Sequence, residues 1–261
     1  MQQHNCRLPA AVLLMTGLLA AGRCLAIAGG ESPTDAEFAA ESPWVVALIH
    51  EDGKVGCAGS LISPRFVLTA AHCASDGLSV LYGNRSRRAA RRVAVRAVIR
   101  HPQYTTGPIA YDLGLLRLAR PLRVRPVPIA SRAEAWSLLS PYLGATIMGW
   151  GNTEGASERP DVLLRASVQL GELQRVGTHI AFNSRRGGPC GGDSGGPLIV
   201  TGYDGRPVLV GVASVTDGNL CAAGGGRAGY TDVSALLDFI QENVPDLPER
   251  LPPVRFGPPG R

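Results

Sequence analysis

Short apolar runs bounded by turn residues recur along the chain, as in WVVALI (44–49), FVLTAA (66–71) and VLVGVASV (208–215). Runs of this length, flanked by Gly, Pro, Ser or Asp, predict strands. Helical periodicity is scarce. The one convincing helix is VSALLDFIQENV (233–244), where Leu236, Leu237, Phe239 and Ile240 fall on adjacent faces and Pro245 stops it. Two proline-rich stretches read as lying outside the strand pattern: RPLRVRPVPIASRAEAW (120–136) as a linker and 245–261 as an extended tail. No internal repeat rises above the strand–turn rhythm. The pattern predicts an all-β chain, long enough for one large domain or two small ones.

The first 26 residues break this rhythm. Arg7 precedes the apolar run LPAAVLLMTGLLAAG, and Cys24-Leu25-Ala26 supplies a small-x-small exit. That is the grammar of a secretory signal, so the mature chain is expected outside the cytoplasm, secreted or periplasmic. The run is short for a membrane span and no later segment is long enough, so no membrane partner is expected. Cys6 and Cys24 leave with the signal. Cys57, Cys73, Cys190 and Cys221 remain, an even set that in an exported chain suggests disulfides. Neither CxxC nor a Cys/His cluster with zinc spacing occurs, so neither metal nor other cofactor is expected.

Positive charge is carried almost wholly by arginine, with Lys54 the only lysine and a formal net charge of +5. The densest cluster is NRSRRAARRVAVRAVIR (84–100). From Arg92 onward its arginines alternate with Val and Ala, as on the outer face of a strand. Aromatics do not interleave for base stacking. The cluster reads as a solvated basic face, and no nucleic acid is expected.

The stretch GGPCGGDSGGPL (187–198) spends six of its twelve positions on glycine yet keeps one Asp and one Ser. Glycine costs backbone entropy, so such a run needs a reason: close approach of another backbone, or N–H groups aimed at a transient charge. A serine among glycines is by itself a common turn. Here it has companions. VLTAAHC ends in His72 and Cys73, and YDLGLLRL carries Asp112 ahead of an apolar run that would bury it. A serine hydroxyl needs an adjacent base, histidine suits that role, and a carboxylate on its far nitrogen fixes the tautomer. The other histidines, His50, His101 and His179, read as ordinary surface or turn residues.

In this order the three segments resemble the trypsin-like (chymotrypsin-fold) serine proteases, and the resemblance extends over nearly the whole mature chain. IAGG at 27 is similar to that family's mature N-terminus, PWVVAL to its first core strand, MGWG (148–151) to the start of its second barrel, and GYTDVSALLDFI to the entry of its C-terminal helix. The resemblance implies two antiparallel Greek-key β-barrels, 27–122 and 137–232, with the active site in the cleft between them and a C-terminal helix over 233–244. It implies His72 as base, Asp112 as its orienter and Ser194 as nucleophile. Gly192 and Ser194 would supply the oxyanion hole, and Asp193 would pair with the α-amine of Ile27. Disulfides Cys57–Cys73 and Cys190–Cys221 are implied.

Several positions depart from the family pattern. Gly188 stands where an aspartate would select Arg or Lys. Thr216 and Ala228 would narrow the pocket walls, implying cleavage after small or medium apolar residues. Ser214-Val215-Thr216 replaces Ser-Trp-Gly along the substrate backbone. Asn84 and Arg85 replace calcium-binding carboxylates, so no calcium is expected. Ala26 precedes Ile27 in place of a basic residue, and the signal-peptidase bond coincides with the activating one. Expected partners are a protein or peptide substrate and a proteinaceous inhibitor, with the enzyme a monomer. The alternative is a catalytically silent homologue that binds through its arginine face; a third reading is an esterase-like hydrolase on the same site.

Overall fold

The computed structural model describes residues 27, 30–106, 110–152, 159–184, 187–216 and 226–248. The expected signal, Cys221 and most of the tail lie outside the described residues. Six strands form the first sheet: β1 (Val45–Ile49), β2 (Val55–Ser63), β3 (Phe66–Thr69), β4 (Ser79–Tyr82), β5 (Arg91–Arg100) and β6 (Gly114–Leu118). The order β1-β2-β3-β6-β5-β4 closes into a barrel because β4 pairs back onto β1, as Leu48 against Val80. Closure removes both sheet edges. On β5 the alternation is plain: Val93 points inward while Arg92, Arg96 and Arg100 are exposed.

The second sheet has seven strands: β7 (Gly144–Gly149), β8 (Leu164–Gln169), β9 (Gly171–Val176), β10 (His179–Ser184), β11 (Pro197–Thr201), β12 (Pro207–Thr216) and β13 (Gly226–Asp232). Its ladder runs β8-β7-β11-β12-β13-β10-β9 and curls, barrel-like, around its own apolar cluster, in which Phe182 and Tyr230 stack 5.7 Å apart.

Helices are more numerous than the periodicity predicts. Besides the C-terminal one there are α1 (Asp35–Glu41) and α2 (Arg132–Leu138). Both are too short to show a clear apolar stripe, and both are fixed at their starts by capping boxes. Thr34 Oγ1 accepts from the Glu37 N–H while Glu37 accepts from the Thr34 N–H, and Ser131 and Glu134 repeat the arrangement. The S/T-x-x-E spacing was visible in the sequence and is the signal that periodicity overlooks. Helix α2 also corrects the linker reading of 120–136. That segment is pinned to both sheets: Leu122 donates to the Pro64 carbonyl, Val127 to Leu61 and Ala130 to Leu209.

The C-terminal helix begins as a 3-10 turn (Ser234–Leu236) and continues as α3 (Leu237–Asn243). It leaves the second sheet and seats Val233, Leu236, Phe239, Ile240 and Val244 in the apolar cluster that holds the buried residues of the first barrel. Among the described residues no helix is long and apolar enough to cross a membrane. Because Ile240 is fully buried, Ile240→Ala is expected to cost about 2–5 kcal/mol, read from denaturant midpoints.

Candidate active site

His72 sits in a 3-10 turn (Ala71–Cys73) directly after β3, and the Cys57–Cys73 disulfide ties that turn to β2. Asp112 lies two residues before β6. The close approach of this segment to the histidine turn depends on Gly114, where a Cβ would fall 2.9 Å from Ala74 Cβ. Asp112 is then only 4% exposed. Its Oδ2 meets His72 Nδ1 at 2.8 Å, and its Oδ1 accepts the His72 backbone N–H at 3.0 Å. Burial works against ionisation of this carboxyl, but the hydrogen bonds from His72 and Ser214 outweigh it and hold its pKa below the ordinary value.

Two further anchors come from the second sheet. Ser214 Oγ donates to Asp112 Oδ2 at 2.6 Å, and Thr231 Oγ1 donates to the Asp112 carbonyl at 2.9 Å. Ser214 sits where the β12–β13 register shifts between Ala213 and Val215, so an irregularity in the ladder frees it to reach the carboxylate. The sequence points to Ser214 only for contact with substrate, and Thr231 carries no local cue.

Ser194 follows Asp193 in the glycine-rich loop. Its carbonyl accepts from the Ala58 N–H at 2.8 Å, beside Cys57 of the disulfide, which brings it to the same edge of β2 as His72. Gly195 has φ +77°, and a side chain there would strike Thr69 Oγ1 and the Ala58 carbonyl. The Ser194 hydroxyl makes no hydrogen bond with a described residue, so the structure forms the His72–Asp112 link and leaves the Ser194–His72 link open. Catalytic hydrogen bonds of this kind are often long before substrate binds.

The loop's backbone donors divide sharply. Asp193 N–H donates to the Cys190 carbonyl, Gly195 N–H to Ala213 and Gly196 N–H to Asp193. The N–H groups of Gly192 and Ser194 meet no acceptor among the described residues. Gly192 holds a φ of +101°, which favours glycine. Both donors belong to the loop that carries the Ser194 hydroxyl.

Asp193 itself is buried. Its carboxylate accepts the Gly151 N–H at 2.7 Å and the Cys190 N–H at 2.8 Å. Burial raises its pKa to about 6, against the lowering effect of those two donors and of Arg159. Ile27 is 1% exposed, within the second cluster, and in this chain its nitrogen is still part of a peptide bond.

The remaining sequence candidates are distributed as follows. Gly188 and Ala228 are buried, Val215 is exposed, and Thr216 pairs with Ala228 across β12 and β13. Cys190 is disulfide-bonded, while Cys221, its expected partner, lies outside the described residues. The Cys57, Cys73 and His72 donor atoms cluster within 4.8 Å, but the two sulfurs are bonded to each other and offer no thiolate to a metal.

Two histidines correct the surface reading. His101 is buried between Tyr111 and Phe239, with ring centroids at 4.9 and 4.8 Å, and burial lowers its pKa. His179 opens β10 half-buried, with its Nδ1 unpartnered; burial and then Arg227 lower its pKa against the pull of Asp112. Neither position carried a sequence cue, because both were sheltered by chain distant in sequence.

Comparison with known proteins follows the same geometry. Residues 27–240 match the sequence model of the family described as Trypsin. The chain belongs to the trypsin family of serine proteases. It is 32% identical over 235 residues to a trypsin of Saccharopolyspora erythraea, covering 84% of this chain and 98% of the relative. It is also 32% identical over 249 residues to kallikrein-15 of Saguinus oedipus, covering 83% and 92%, and 31% identical over 230 residues to serine protease 1 of Drosophila melanogaster, covering 77% and 81%. As a trypsin-family member it is a serine endopeptidase, a hydrolase with the chymotrypsin fold.

The Asp193 carboxyl gives the uncut trypsin-family chain a testable pH signature. A folded-state pKa of about 6 lies above the ordinary value near 3.9, so folding binds the proton more tightly. The resulting stabilisation is complete below the unfolded pKa and is lost as pH rises through the folded one. Asp193→Asn in a chain not cut before Ile27 should therefore gain stability over wild type between about pH 4 and pH 8, on the order of 3 kcal/mol. Denaturant midpoints of both proteins at the two pH values measure it.

Proposed function

We propose that this endopeptidase hydrolyses peptide bonds through His72, Asp112 and Ser194 by way of an acyl-enzyme. The observation that carries the proposal is the doubly held Asp112 carboxylate, in contact with both the ring and the backbone of His72. With Nδ1–H committed to Asp112, Nε2 is the basic nitrogen facing the cleft. Ser194 Oγ attacks the scissile carbonyl as its proton passes to Nε2, and the carbonyl oxygen becomes an oxyanion received by the N–H groups of Gly192 and Ser194. The imidazolium, stabilised by Asp112, returns the proton to the leaving amine as the C–N bond breaks. Water, deprotonated by His72, then attacks the ester and releases the acid and the free Ser194 hydroxyl.

Activation is read from Asp193. A buried carboxylate whose ionisation is opposed by desolvation is ready for a cation. Cleavage before Ile27 would create an ammonium for it, and because Ala26 precedes that bond, signal peptidase during export would make the cut. N-terminal sequencing of the exported protein is expected to begin at Ile27; a start upstream of it defeats this part of the proposal. For the side chain before the cut bond, Gly188 offers no counter-charge, so a buried guanidinium there would stay unpaired. The preference proposed is for small or medium apolar residues.

Two measurements test the whole. Fluorophosphonate labelling of the processed enzyme is expected to be abolished by Ser194→Ala, and Asp112→Asn should lower kcat by about the 10⁴-fold seen when this orienting carboxylate is neutralised in the triad's type enzyme. Cleavage-site profiling on a peptide mixture should yield cuts after residues of the Ala, Val or Leu class; cuts chiefly after Arg would refute the pocket assignment.

A further inference from the structure

We propose that Arg159 forms a carboxylate-binding subsite on the leaving-group side of the cleft, selecting peptides with Asp or Glu within the first two residues after the cut bond. The inference rests on the protease reading above and adds a substrate class to it.

The direction of the substrate follows from the hydrogen bonds around Ser194. On one side, Gly195 N–H donates to the Ala213 carbonyl and the Ala213 N–H to Gly196, so the loop is sewn to β12 ahead of Ser214, Val215 and Thr216. Strand β12 pairs with β13 over those residues, leaving its other edge for the acyl half of a peptide. On the opposite side, the Ser194 carbonyl is bound by Ala58, so the leaving half must depart over the start of β2, at Val55, Gly56 and Cys57.

Arg159 stands at that exit. Its guanidinium donates through Nη1 to the Val55 carbonyl and through Nε to Asn152 Oδ1 at 3.3 Å. The same group lies against Gly192, where a Cβ would fall 2.7 Å from its Cζ, so the guanidinium occupies the space a side chain at that position would take. Its backbone is held as well: Arg87 donates to the Arg159 carbonyl and to the Pro160 carbonyl, both at 3.0 Å. A cation thus bridges the two halves of the cleft beside the oxyanion donors. No described carboxylate pairs with it, because Asp193 is turned toward Gly151 and Cys190.

The partners Arg159 does have are a carbonyl and an amide oxygen, both neutral. Among the described residues Nη2 has no partner, so a substrate carboxylate can take the guanidinium through it. A carboxylate there adds the attraction of opposite charges to the hydrogen bonds, which a neutral amide cannot. An acidic side chain just past the cut bond would pass Val55 and meet this face.

The test uses the processed enzyme and matched pairs of internally quenched peptides that differ only by Glu or Gln at the first or second residue after the cut bond. The readout is the Glu-to-Gln ratio of kcat/KM within each protein, which is insensitive to overall losses of activity. Wild type is expected to favour Glu by about tenfold or more at one of the two positions. The ratio should fall to near one in Arg159→Gln, remain partly in Arg159→Lys, and shrink as salt is added. A wild-type ratio near one, or a preference that survives in Arg159→Gln, overturns the subsite. If wild type reacts with the fluorophosphonate and cuts both peptides without preference, only the subsite falls. If it neither reacts nor cuts, the protease reading falls and takes the subsite with it.

Discussion

A buried charge is tolerated in a protein only when its surroundings replace the water it has lost, and Asp112 is the charge on which this molecule is organised. Its carboxylate receives the His72 backbone, the His72 ring and the Ser214 hydroxyl, while its own carbonyl receives Thr231. Two of these groups come from the first barrel and two from the second sheet. Removing one donor would leave the others facing an under-solvated anion, a more costly state than a buried neutral pair. The domains are therefore not merely packed face to face: the ion at their junction requires both to be in register, and the same register holds Asp112, and through it His72, against Ser214 and Thr231.

Much of this was legible before any coordinates, because the chemistry is written locally. The glycine run around Ser194, the TAAHC turn and the apolar run after Asp112 each announce a constraint that a few neighbouring residues impose. The strand pattern was legible for the same reason: alternation, as on β5, is a local record of one buried face. What stayed hidden depends on chain far away in sequence. Ser214 reaches Asp112 only because a ladder irregularity turns it out of register, and His101 is sheltered only because Phe239 arrives from the other end of the chain. Arg159 could not be distinguished from the other arginines, since its neighbours Val55 and Gly192 become neighbours only on folding. The helices α1 and α2 were a different case. Their capping boxes were present, but a hydrophobic pattern cannot register a helix of seven residues.

Arginine also holds the scaffold together. Arg165 gathers Glu31, Glu37 and Glu41, joining the segment after Ile27 and helix α1 to β8. Arg175 pairs with the buried Asp232, and Arg87 clamps the carbonyls of Arg159 and Pro160 to the first barrel. A planar, permanently charged fork suits such multi-point contacts better than lysine's single ammonium, which fits a chain in which lysine occurs once. Arg91 and Arg120, which pair with no carboxylate among the described residues, hold their guanidiniums over the Tyr82 ring instead.

The seating of α3 in the opposite half has a consequence for how the molecule is made. Strands β1 to β6 are all synthesised long before Phe239 and Ile240, yet those two side chains complete the apolar cluster to which the buried residues of those strands belong. A ribosome delivering the chain from its N-terminus would thus produce a barrel with part of its apolar cluster still uncovered until Phe239 and Ile240 have been made. Synthesis proceeds domain by domain, but completion of the first domain waits for residues that follow the second.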